Sequence, residues 1–310
     1  MAKRGKPNST HSKPPRPGVQ VAVRIALVAV IAALIVAGAW LGAVRLWDAI
    51  TSRPEFRLNL RGLALTGCPE WVDCDRMTLE LRKQLKALPE AASLFESDVA
   101  TAVQHELRAC PWVLDVTEVQ RTLPDKLIIK ATFRKPVAVA LWQGERYLLD
   151  REAYWLPDDV FRPPEEWQAN ATPVIEDQLL RDPPAAGCPW NSPRMEVGAR
   201  LSAFLRGRGV FDELTVTSID VTGVGRRSTE PDIVLHTAGG AVVKWGQSSV
   251  YEQVEGLEAL PSAMPDAQKV EMLLSKLSEY PGLQGVEYLD LRFHGKVYSL
   301  PSAQPPSAGP

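Results

Sequence analysis

The longest unbroken apolar run lies near the N-terminus, where Ile25 to Val44 reads IALVAVIAALIVAGAWLGAV without a charge. That is about the 20 residues a helix needs to cross a hydrocarbon core of roughly 30 Å. The spacing predicts a membrane helix over 25–46, bracketed by Arg24 and Arg45. Trp40 and Trp47 fall near its far end, and indoles favour the membrane interface.

From Phe56 onward the hydrophobic period changes several times. FRLNLRGLALTG alternates as a strand does, with Leu58, Leu60 and Leu63 among its apolar positions. Met77, Leu79, Leu81, Leu85 and Leu88 recur at helical spacing, with Asp75 as N-cap and Pro89 as stop. Val99, Val103 and Leu107 repeat that pattern behind Ser97 or Asp98 as cap. Two strand-like runs, WVLDVTEVQRTL and KLIIKATFR, then follow, joined by Pro124 and Asp125. The order strand, helix, helix, strand, strand predicts a compact α+β unit over 56–136, a small sheet with two helices on one face.

The remainder, 137–300, is richer in strands. VAVALWQGERYLLD predicts a hairpin turning near Gln143 and Gly144, and the proline-rich run from Arg162 to Pro193 predicts surface loops. RMEVGARLSAFLRGRG and KVEMLLSKLSEY predict helices, while ELTVTSIDVTG, DIVLHTA and AVVKWG predict strands, the last two joined at Gly239 and Gly240. In YLDLRFHGKVYSL, Leu289, Leu291 and Phe293 alternate with Tyr288, Asp290, Arg292 and His294. This is the period of a half-buried strand in which Asp290 and Arg292 can pair, and the sequence returns through a His294-Gly295 turn to a last strand. The fold class is therefore α+β: a transmembrane helix, a β-α-α-β-β unit, and a mostly antiparallel β domain with flanking helices. Residues 1–24 are a tail, 47–55 a linker and 301–310 a disordered tail.

Charge sharpens the topology. Lys3, Arg4, Lys6, Lys13 and Arg16 give the tail five cations and no acid, which predicts a cytoplasmic N-terminus and an extracytoplasmic bulk. A cleaved signal peptide is the competing reading, but the apolar run exceeds the roughly 7–15 residues of an h-region. The overall charge of −2 points to no nucleic acid. Cys68, Cys74, Cys110 and Cys188 suit an oxidising compartment. Cys68 with Cys74 is the preferred pair, and buried free thiols are the alternative.

Catalytic material is sparse. HELRA at His105 lacks the second histidine of a zinc protease, Gly223 and Gly225 are followed by arginines rather than a third glycine, and no P-loop or nucleophile elbow occurs. No cofactor and no metal site are expected.

Pro111-Trp112-Val113, then Val119-x-Arg121, Pro124, and Leu127-x-Ile129 leading to Pro136-Val137-Ala138, resemble in order and spacing a run of the FtsQ/DivIB family of bacterial cell-division proteins. Leu289-Asp290-Leu291-Arg292-Phe293 is similar to that family's C-terminal IDLRY, and Val243-Lys244-Trp245-Gly246 to a strand ending in Leu-Gly. The chain departs from the pattern at Phe133, where the family carries an acid. The resemblance implies a single-pass inner-membrane protein of the division septum, with a POTRA domain and a β domain. It implies no enzyme activity. It also implies that the C-terminal strands hold FtsB/FtsL-like proteins through Tyr288, Arg292, Phe293, Lys296, Val297, Tyr298, Ser299 and Leu300, and that the POTRA-like unit meets other division proteins. A POTRA-bearing transport component and an anchored envelope enzyme are the other classes left open.

Overall fold

The computed structural model describes residues 17–51, 53, 62–86, 98–122, 126–164, 167, 172–226, 230–260, 263–293 and 296–299, with backbone alone for 17–20, 98 and 296–299. Leu58, Leu60, Pro89, Ser97, Pro124, Asp125, the His294-Gly295 turn and Leu300 lie outside the described residues.

Helix α1, Pro17–Thr51, contains the uncharged run and continues into the stretch read as a linker. Its apolar side chains, among them Leu34, Ile35 and Leu41, are exposed. Val21–Thr51 has a mean hydropathy of 2.7 in its most apolar stretch and is long and apolar enough to cross a membrane.

A three-stranded sheet follows, built from β1 (Leu63–Thr66), β2 (Val113–Thr122) and β3 (Lys126–Phe133) in the order β1-β3-β2. β1 runs parallel to β3 with Leu63 opposite Leu127, and β2 pairs antiparallel with β3. Two helices cover it, α2 (Cys74–Leu85) and α3 (Asp98–Arg108). The stripe Met77, Leu81, Leu85 repeats every four residues, so one face of α2 is fully buried, as are Val103 and Leu107 of α3. The N-cap of α2 is Asp73 rather than Asp75: its extended backbone lets Oδ1 accept from the Arg76 N–H at 3.1 Å. Cys68 and Cys74 are joined, 5.9 Å apart at Cα, while Cys110 is a buried thiol and Cys188 an exposed one.

The second sheet has nine strands: β4 (Ala138–Trp142), β5 (Glu145–Leu149), β6 (Trp155–Leu156), β7 (Val174–Glu176), β8 (Val216–Asp220), β9 (Val234–Thr237), β10 (Val242–Lys244), β11 (Val286–Asp290) and β12 (Lys296–Ser299). Their order is β12-β11-β10-β9-β8-β7-β4-β5-β6. The sheet is mixed: β4–β7, β7–β8 and β10–β11 pair in parallel and the other neighbours antiparallel. Parallel neighbours need a crossover, and helices supply two of them. Helix α4 (Pro193–Gly207), followed by the short α5 (Val210–Glu213), joins β7 to β8, and α6 (Asp266–Glu279) joins β10 to β11. The β4–β5 hairpin turns at Gln143 and Gly144, both with positive φ, which suits the twist of its strands.

The proline-rich stretch departs in part from the expectation of surface loops, which holds for most of its described residues. It contributes β7 to the middle of the sheet, with Val174 opposite both Val139 and Ser218. Pro173 is tolerated beside it because only its carbonyl is used, accepting from the Val139 N–H at 3.0 Å. Trp167 and Trp190, from the same stretch, are buried.

The two hydrophobic cores divide between Phe133 and Val137, yet Leu156 and Val160 join the first core. The segment carrying them is strapped to the β-α-α-β-β unit. The Trp112 indole N–H donates to the Pro157 carbonyl at 3.0 Å, Asp73 N–H to Val160 O at 2.9 Å, and Arg162 N–H to Trp71 O at 3.0 Å.

Candidate functional site: the β11–β12 edge

β12 is the outermost strand of the nine-stranded sheet, and among the described residues no strand lies beyond it. It is held antiparallel to β11 with Tyr298 opposite Tyr288, Val297 opposite Leu289 and Lys296 opposite Asp290. β11 in turn is anchored by Leu289, with Leu291 just beyond its end, both fully buried. Each removes a large apolar surface from water, worth about 1.5–3 kcal/mol.

Phe293 does not join that face as the alternation predicted. β11 stops at Asp290, whose Oδ1 accepts from the Arg292 N–H at 3.0 Å, and this local turn ends the two-residue period, leaving Phe293 exposed. The same carboxylate takes a two-pronged contact from the Arg292 guanidinium, Nε–Oδ1 3.1 Å and Nη2–Oδ2 2.8 Å. Burial pushes the Asp290 carboxyl up, but the hydrogen bonds from Arg292, with the charges of Arg292 and Lys244, outweigh it and hold the group below its ordinary value. On the neighbouring strand Lys244 Nζ lies 3.8 Å from the centre of the half-buried Tyr288 ring.

The stem of Arg292 rests on Gly246, which turns the chain after β10 with φ of 76°. A Cβ there would sit 2.7 Å from Arg292 Cγ, so only glycine fits. A buried polar network pins this corner to α6. Asp266 accepts from the Trp245 indole N–H (2.8 Å), the Ser248 hydroxyl (2.5 Å) and the Ser249 N–H (2.9 Å). Lys269 Nζ is 3.7 Å from Asp266 Oδ1 and donates to the Gln247 carbonyl. Burial lowers the Lys269 pKa, against the pull of Asp266.

The remaining sequence candidates fall elsewhere. Pro111, Trp112, Val113, Val119 and Arg121 mark the turn into β2 and the strand itself, with Trp112 only 2% exposed, a core residue. Pro136 is buried where the first core gives way to the second. Arg24, Trp40, Arg45 and Trp47 all lie on the exposed surface of α1. His105 is exposed on α3, with Glu106 beside it at 3.8 Å.

Sequence reasoning had no means of finding the cluster of Glu176, Asp220 and His236. These residues come from β7, β8 and β9, and their ligating atoms lie within 4.8 Å of one another. They are far apart in the chain and meet only through sheet pairing. Such a group could hold a divalent cation, but all three are at least partly exposed and nothing else at the cluster points to one.

Comparison with protein-family models finds none that matches the chain, and comparison with curated proteins finds no match either.

Proposed function

We propose that the chain is a non-enzymatic, membrane-anchored assembly protein of the bacterial division machinery, of the FtsQ/DivIB kind. In this reading α1 fixes it in the cytoplasmic membrane with the N-terminus inside, and the β-α-α-β-β unit acts as a POTRA-like recruitment surface. The nine-stranded sheet captures FtsB/FtsL-like partners. The observation that carries the reading is the placement of β12 at the sheet edge, where a strand's outward N–H and C=O groups offer a template for another chain. The anchored support of that edge favours a docking role, because main-chain pairing needs a strand held in register rather than a reactive group.

Localisation of a fluorescent protein fused at Met1 in dividing cells of the native host tests the division part. A band at the division site is the expected result, and uniform membrane fluorescence would overturn it. Asp290→Ala and His294→Ala separate docking from catalysis. A docking protein keeps partner capture while its last strand stays folded, whereas an enzyme using those groups loses all activity.

A further inference from the structure

Where β3 leaves the first sheet and the C-terminal end of α4 comes alongside, a cavity of about 340 Å³ opens between the two hydrophobic cores. Leu114, Phe133, Val137 and Ala203 give it an apolar wall, and Lys135 and Arg206 a cationic one. Leu114 is 48% exposed there.

The cations at this place are not equivalent. Arg134 is engaged by Asp150 at 2.6 Å and Glu152 at 3.3 Å, and Arg151 by Glu152 at 2.9 Å. Among the described residues, Lys135 and Arg206 have no carboxylate within ion-pair distance. The Arg206 guanidinium carbon lies over two rings, 4.7 Å from the centre of Trp167 and 4.9 Å from that of Phe211. Its Nε and Nη2 are buried and have no acceptor among the described residues, so a carboxylate in the cavity reaches them as the side chain turns toward it. Those two N–H groups form one edge of the guanidinium, the edge that meets a carboxylate with two parallel hydrogen bonds. Burial also holds the Arg206 pKa below its usual value, against the opposing charge of Asp212. Buried donors without acceptors are rare because the lost hydration is not replaced, so a partly sheltered arginine with a whole edge unpaired calls for an acceptor.

We propose that this cavity receives an acidic side chain of a partner polypeptide. Arg206 turns its Nε and Nη2 edge onto the carboxylate, Lys135 adds a second charge, and an apolar residue beside the acid rests on Leu114 and Val137. A polypeptide suits the cavity better than a free anion because half the lining is apolar and would give phosphate nothing to bind. The site is separate from the β12 edge, and it stands whether or not that edge docks a strand.

The test is calorimetric titration of the full chain in detergent with an acetylated, amidated tripeptide, Leu-Glu-Leu, and its Leu-Gln-Leu counterpart. The Glu peptide is expected to bind saturably and the Gln peptide at least about tenfold more weakly. Arg206→Lys keeps the charge but not the two-pronged edge, and is expected to lose about tenfold in affinity for the Glu peptide. Leu114→Asp, at an exposed position that does not threaten folding, is expected to abolish binding by placing a like charge on the rim. No heat with the Glu peptide at millimolar concentration, equal binding of the two peptides, or unchanged binding to Arg206→Lys and Leu114→Asp would overturn the proposal.

Discussion

Arg292 grips Asp290, two residues before it, with Nη2–Oδ2 at 2.8 Å and Nε–Oδ1 at 3.1 Å, at the point where β11 ends and the chain turns toward β12. The pair therefore closes the end of β11. Arg292→Ala leaves the Asp290 carboxylate, 10% exposed, without its main donors, and costs about 1–3 kcal/mol. Urea unfolding of the variant checks this.

The same pair has a pH signature. The folded Asp290 carboxyl titrates below its ordinary value, so its contribution is fully present above the unfolded carboxylate pKa of about 4 and is lost as pH falls through the depressed folded value. Between about pH 5 and pH 3 the wild type should lose more stability than Asp290→Asn. Parallel loss in both proteins would show that the carboxylate is not held as described.

Gly246→Ala is expected to be disproportionately harmful. The new Cβ would meet Arg292 Cγ at 2.7 Å, and the backbone sits at a φ of 76° that L side chains rarely adopt. A loss of about 1–3 kcal/mol in thermal or urea unfolding is expected. Arg292→Ala in the same chain should recover the part due to the clash and leave the backbone part.

Within the network under this corner, two removals should differ. Asp266→Ala leaves the Trp245, Ser248 and Ser249 donors unmatched and Lys269 without its counter-charge, and is expected to cost about 3–5 kcal/mol. Lys269→Met should cost less, because Asp266 keeps three donors and the methionine still fills the space against Trp245. Calorimetric melting of the two variants decides it.

Reduction of the Cys68–Cys74 bridge, or Cys68→Ser with Cys74→Ser, should lower stability by about 2 kcal/mol, the value expected for so short a closed loop. Thiol titration of the unreduced, denatured wild type should find only Cys110 and Cys188.

Much of the architecture was legible where the signal is local. The uncharged run from Ile25 needs no partner to declare a long apolar helix, and Met77, Leu81 and Leu85 announce a buried helix face by their spacing alone. Gln143-Gly144 marks a hairpin because the turn demands positive φ at both residues. The alternation around Leu289 identified a strand with a return strand beside it, which lies at the sheet edge. What was hidden depends on distant partners. β7 is three residues long, sits among prolines and exists because β4 and β8 flank it. The Trp245–Asp266 contact joins residues 21 apart through polar atoms that carry no period, and Phe293 lost its predicted face to a hydrogen bond inside a turn.

The most direct test of the docking account places a photo-crosslinking amino acid at Tyr298 in the full chain and irradiates dividing cells of the native host. The account predicts a crosslink to a small membrane-anchored division protein, and loss of that protein's co-purification when Lys296 to Leu300 are deleted while the β-α-α-β-β unit stays folded. A truncated chain that still captures its partner, or a position 298 that crosslinks to nothing, would contradict it.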